Sequence, residues 1–161
     1  MMTDTSTDQR AGGVRPHLAG RRPPVVPAAF DLLDTARRDI AEAMTTTVPT
    51  QRYAAAHLAA LRTAAAVLAV RTRPSATKRP RNVWVLLPQV APELTEWSAF
   101  FASGAGKRAA AEAGLTRAVL PREADDLLRD AQTFLALVET TLGLAHQAVL
   151  PHLASLAHRA S

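Results

Sequence analysis

The strongest constraint on what this chain can fold into lies between Thr50 and Arg71. The run Gln51-Arg-Tyr-Ala-Ala-Ala-His-Leu-Ala-Ala-Leu-Arg62, continued through Arg71, contains no glycine and no proline. Alanine and leucine dominate it, and both lose little on entering a helix. The segment therefore predicts one long helix with Thr50 as its N-cap. Leu58, Leu61, Ala65 and Leu68 form one stripe at heptad-like spacing. Most other positions are alanine, which lets neighbouring helices approach closely. Such a helix belongs at the centre of a helical domain.

The same period recurs on both sides. A first helix is expected from Pro27, since proline suits a first helical turn. Its inner face would carry Phe30, Leu33, Ala36 or the stem of Arg37, Ile40 and Met44. Thr45 to Thr50 ends it, with Pro49 as the breaker. A third segment starts near Asn82 and presents Trp84, Leu87, Val90, Leu94, Trp97, Phe100 and Phe101. Four of the seven aromatic residues lie there. Pro88 and Pro92 predict a kink or break near Val90. Ser103 to Gly106 interrupts the pattern, and Lys107 to Ala113 suits a short extra turn. A last long helix should open at Pro121, with the acids of Arg122 to Asp126 favouring its N-terminus. Leu127, Leu128, Ala131, Phe134, Leu135, Val138 and Leu142 form its inner face, and Gly143 ends it. No period-two alternation of β-branched residues is present. The reading is all-α, an antiparallel four- to five-helix bundle.

A length of 161 residues suits one domain with a real core. The expected division is a disordered tail over residues 1–26, a bundle over 27–143, and a tail over 144–161. In that last tail Val149, Leu153 and Leu156 have the spacing of a short helix. The chain has no cysteine, which excludes disulfides, thiolate nucleophiles and zinc knuckles. The N-terminus is polar, and no uncharged apolar run reaches about 18 residues, so no membrane span is expected. A cytoplasmic location follows as the expectation. Neither a cofactor nor a metal is expected. The acids Glu93, Glu96, Asp125, Asp126 and Asp130 read as a solvated face, with Glu93 or Glu96 facing Arg52 or Arg62 across the bundle. His146, His152 and His158 fall six residues apart, which spreads them around a helix.

Two groups of residues could carry chemistry. Arg52 and His57 stand at the head of the alanine-rich helix. Metal-free RNA cleavage needs a base near neutral pKa and positive charge on the phosphate, and this pair has both types. Five helical steps turn the chain by about 500°, so the two side chains diverge by about 140°. The second group lies in the segment Arg71 to Arg81. Arg71, Arg73, Lys78, Arg79 and Arg81 are candidate phosphate contacts, in a segment with no acid and no aromatic. The net charge of +5 is matched by this one segment, which makes it a local basic patch. Ser103-Gly-Ala-Gly-Lys-Arg108 fails as a phosphate loop, because Phe101 and Arg108 occupy positions that need glycine and Ser or Thr.

Three stretches carry a family resemblance: Gln51 to Arg62, Trp84-Val-Leu-Leu-Pro-Gln-Val-Ala-Pro-Glu-Leu-Thr-Glu-Trp-Ser-Ala-Phe-Phe-Ala102, and Arg122-Glu-Ala-Asp-Asp-Leu-Leu-Arg-Asp-Ala-Gln-Thr-Phe-Leu135. Together they resemble the actinobacterial SAV-type HEPN (higher eukaryotes and prokaryotes nucleotide-binding) family, over about residues 28 to 143. The resemblance implies a four- to five-helix bundle, often dimeric. Many HEPN proteins resemble RNases of toxin–antitoxin, defence or RNA-processing settings. Their hallmark is an arginine followed after four to six residues by a histidine, a spacing that Arg52 and His57 match. The hallmark usually opens the last core helix, and this pair opens the second. Where a polar residue usually follows the arginine, Tyr53 stands here. The expected function is an RNA- or nucleotide-binding helper, acting as a homodimer without catalysis. The alternatives are a metal-independent endoribonuclease, with His57 as base and Arg52 on phosphate, and a structural protein-interaction bundle.

Overall fold

The computed structural model describes residues 27–72, 82–146 and 148–149. The N-terminal tail, the basic residues Arg73, Lys78, Arg79 and Arg81, and His152 and His158 of the C-terminal tail lie outside the described residues. Six helices are present among the described residues: α1 (Pro27–Thr45), α2 (Pro49–Arg71), α3 (Val83–Val90), α4 (Thr95–Ser103), α5 (Ala105–Glu112) and α6 (Pro121–Thr141). A 3-10 turn, Pro92–Leu94, joins α3 to α4. With α3 and α4 counted as one proline-broken segment, the result is a five-rod bundle. No strand occurs among the described residues.

Helix α2 is the central element and packs against all five other helices. Arg37 of α1 meets Glu139 of α6, and Met44 meets Gln132. The numbering therefore runs in opposite senses, and α1 is antiparallel to α6. The short link Thr46–Val48 makes α1 antiparallel to α2 as well, so α2 and α6 run parallel. The excursion through α3, α4 and α5 supplies the return path between them.

Burial on α2 differs from the expected stripe. Leu58, Leu61, Ala65 and Leu68 are only half-buried, whereas Ala55, Ala56, Ala59, Ala60, Ala64 and Ala66 face the core. A central helix with neighbours on several sides places its smallest side chains at the closest approaches. Of its leucines, Leu61 packs against that core from the edge. The same helix is the one described helix long and apolar enough to cross a membrane by composition, yet that apolarity serves its packing at the bundle centre. On α1, Phe30 is exposed rather than inward, and Ala29 and Ala43 join Leu33, Ala36 and Ile40 in the core.

Local chemistry explains the boundaries. Helix α2 begins at Pro49, so Val48 rather than Thr50 is the N-cap, and Thr50 sits within the first turn. Proline has the fixed φ and missing N–H that this position tolerates. At the start of α6 the Glu123 carboxylate accepts the Leu120 N–H at 2.8 Å. Gly143 ends α6 with φ +72°, and Leu144 N–H reaches the Glu139 carbonyl at 2.8 Å while Gly143 N–H reaches that of Thr140 at 3.0 Å. This is a Schellman closure, which needs a left-handed residue.

Pro88 lies inside α3 and cannot donate to the carbonyl of Trp84, four residues back. Ser98 of α4 supplies the missing donor: its hydroxyl reaches Trp84 O at 2.5 Å, and Ser98 is buried. The proline break and the α3–α4 packing are thus one device. Ser98→Ala is expected to cost about 1–2 kcal/mol, the usual loss for an orphaned buried acceptor. Restoring the helical donor with Pro88→Ala should recover part of that loss in urea melts. A Ser98→Ala variant as stable as the parent would disprove the compensation.

Candidate functional site

Arg52 and His57 leave α2 on different faces, and the structure does not bring them together. The Arg52 guanidinium turns toward the α1–α2 junction. Its Nε donates to the Ala43 carbonyl at 3.1 Å, and one terminal nitrogen donates to the Thr46 carbonyl at 2.7 Å. The other terminal nitrogen pairs with Asp125 in the first turns of α6. A cation among carbonyls at the end of α1 opposes the negative end of that helix dipole. Arg52 therefore ties α1, α2 and α6 together, and each guanidinium nitrogen already has an acceptor.

His57 faces the opposite side, under α4 and α5, and is 1% exposed. Its Nε2 lies 2.8 Å from the carbonyl oxygen of Phe101. A carbonyl can only accept, so Nε2 carries the hydrogen and Nδ1 is the bare acceptor of a neutral imidazole. Nδ1 is buried with no partner among the described residues. The ring sits in an aromatic box, with centroids 6.4 Å from Tyr53, 6.0 Å from Trp84 and 6.1 Å from Phe101. Burial holds its pKa below the ordinary 6.5. The hydrogen bond to Phe101 opposes that shift, and the nearby charge of Arg108 adds to it. Phe101 lies in the last turn of α4, where its carbonyl also accepts the Gly104 N–H at 3.1 Å. His57 thus helps to cap that helix.

The box closes because Gly104 stands at the α4–α5 junction. A Cβ at that position would lie 2.8 Å from the Tyr53 hydroxyl and 3.3 Å from Cδ2 of His57. Glycine here permits the close approach of α5 to the head of α2.

The other cations expected to act at a site are also engaged. Arg71 donates to Glu93 at 2.6 Å and lies 3.2 Å from the Val90 carbonyl. Of the five expected phosphate contacts it is the one within the described residues, and it closes the joint between α2 and α3. Arg62 pairs with Asp39 of α1. Glu93 and Glu96 therefore do not face Arg52 or Arg62, because neighbours on α1 and α6 reach those arginines first. Asp125 goes to Arg52, while Asp126 takes Arg122 and Arg129 on its own helix. Among the described residues acids outnumber bases, so the segments outside them carry more than the whole net charge of +5.

One fully buried charge stands beside the expected apolar stripes. Glu139 is 0% exposed on the inner face of α6. Its Oε1 accepts from Arg37 Nε at 3.0 Å and from a terminal nitrogen of the same guanidinium, and its Oε2 lies 2.6 Å from His146 Nδ1. The sequence carries a signal for it: Glu139 follows Leu135 by four residues and so shares its inward face. No group of three or more His, Cys, Asp or Glu side chains is placed to hold a metal among the described residues.

A family model described as SAV_6107-like HEPN matches residues 43–139, more than half of the chain. The chain belongs to the SAV_6107-like HEPN family. No curated protein and no solved structure matches it. The matched range begins at the end of α1 and ends at Glu139, so it takes in Arg52, the His57 box and nearly all of α6. The HEPN assignment and the helical bundle agree. Within this HEPN domain the arginine and histidine at hallmark spacing are both structural ties: one across a helix junction, the other beneath a helix end.

Proposed function

We propose that this HEPN protein is an RNA- or nucleotide-binding helper, working in the cytoplasm as a homodimer without a catalytic step at Arg52 and His57. The observation that carries the reading is the burial of His57. A general base must reach the proton it removes, and this imidazole is sealed with its Nε2–H on Phe101. Arg52 supports the same conclusion, since its donors serve two carbonyls and Asp125. Phosphate binding is assigned to Arg73, Lys78, Arg79 and Arg81, because Arg71 already serves Glu93 and the described bundle carries no surplus of positive charge. Exposed Phe30, Val85, Phe100 and Leu137 supply apolar surface for pairing of two copies, to be checked by light scattering across a dilution series.

The test is binding of single-stranded RNA over a salt series. Log affinity should fall linearly with log salt. Replacing Arg79 and Arg81 by serine should flatten the slope by about 0.7 for each phosphate that is no longer neutralised. His57→Gln should leave binding unchanged. Cleavage that persists in EDTA and disappears in His57→Gln would instead establish the endoribonuclease. Failure to bind any nucleic acid at low salt would leave a protein-interaction bundle.

A further inference from the structure

A cleft of about 550 Å³ opens between the second half of α1, the first half of α2 and the end of α5. Its lining combines Val48 and Leu58 with three carboxylates, Asp39, Glu42 and Glu112. Glu42 makes no ion pair among the described residues, and Glu112 is held only loosely by Arg108, at 3.6 Å. Asp39 is bound to Arg62. Its carboxyl is nevertheless pushed above the ordinary range, chiefly by burial, with the nearby charge of Glu42 adding to the effect. Asp39 and Glu42 therefore repel each other, and the three acids have two paired arginines between them, Arg62 and Arg108.

Thr50 supplies an independent observation. It is 8% exposed, lines the cleft, and its hydroxyl makes no hydrogen bond among the described residues. The backbone carbonyl that a helical threonine commonly uses, four residues back at Thr46, is taken by Arg52. Among the described residues, sealed side-chain atoms without partners are confined to His57 and Arg108, so the Thr50 hydroxyl opens into the cleft. The result is a set of acceptors beside Val48 and Leu58, in which Asp39 has Arg62 and Glu112 has Arg108 at 3.6 Å, while Glu42 has no cation among the described residues.

We propose that this cleft receives the guanidinium of an arginine presented by a basic peptide of a partner protein. Five fixed donors on a planar head match acceptors spread over the lining helices, and the alkyl stem suits Val48 and Leu58. The chain's own basic segment is not the source within one molecule. Thr50 and Arg71 are separated by about 30 Å of helix, and the segment must return to α3 after some ten residues. The site is independent of the RNA-binding reading, since carboxylates repel phosphate.

Calorimetric titration of the full chain at low salt tests this, with N-acetyl-arginine methylamide as the probe. The expected result is saturable one-to-one binding. Glu42→Gln with Glu112→Gln should weaken it at least about tenfold, as loss of charge-assisted hydrogen bonds implies. Both residues are exposed, so melting curves should show the variant folded as the parent is. The uncharged citrulline counterpart should not bind. N-acetyl-arginine, which has a free α-carboxylate that the cleft repels and no α-ammonium, should bind more weakly than the blocked probe, and tighter binding would overturn the assignment to a peptide. Absence of saturable heat at millimolar probe, or equal binding by the double variant, would overturn the site.

Discussion

His57→Ala is expected to destabilise the protein by about 2–4 kcal/mol, the range for removing a large buried side chain. It removes the ring from its aromatic box and takes the Nε2 donor from the Phe101 carbonyl. His57→Gln retains an N–H donor and much of the volume, and should cost less. The parent and His57→Gln also separate in their response to pH. The folded protein holds His57 below the ordinary 6.5, so the unfolded chain binds the proton more readily. The stabilisation from a neutral His57 is complete above about 6.5 and is lost as pH falls from there through the folded value. A charged ring would place an Nδ1–H with no acceptor into an apolar box. Urea melts at pH 7.5 and 5.5 should therefore show a larger loss in the parent than in His57→Gln. Equal losses would contradict the burial argument.

Arg37→Met should have a comparable or larger effect, about 3–5 kcal/mol, because it strands a buried charge. Glu139 is 0% exposed and would keep His146 as its remaining partner. Arg37 also bridges to Asp34 at 2.5 Å, but that carboxylate is exposed and adds little. The companion Glu139→Gln should recover much of the loss, since a neutral amide is far easier to bury unpaired. The double-mutant cycle measures the coupling directly. A single Arg37→Met variant that loses less than about 1 kcal/mol would show that the Arg37 pair is not what sustains the buried carboxylate.

These two sites differ in how far the sequence announces them. His57 is legible as a titratable residue on an alanine helix, and its spacing from Arg52 matches the HEPN hallmark. The 140° divergence expected from five helical steps is what the structure keeps, so local geometry already separates the pair. Which way each residue turns is not legible. Arg52 finds Asp125, 73 residues away, and His57 finds Phe101, 44 residues away. Of the acids that the linear reading placed opposite Arg52 and Arg62, Glu93 pairs with Arg71 and Glu96 stays exposed.

What the sequence determines by itself is whatever backbone chemistry settles within a turn or two. Prolines 27, 49 and 121 open helices because their fixed φ and missing N–H suit that place. Gly143 closes α6 because a left-handed residue is needed there, and Pro88 with Pro92 break the third segment near Val90. Helix class and break points follow from such signals. Tertiary structure alone decided the rest. It turned the alanines of α2 inward and left its leucines half-buried, sealed His57 under α4, and buried Glu139 with Arg37. It also left the acids of the α1–α2–α5 cleft short of counter-charge. The physical reason is that periodicity fixes which residues share a face, whereas the rotation of each helix is set by the summed packing and charge of its neighbours, and those come from distant parts of the chain.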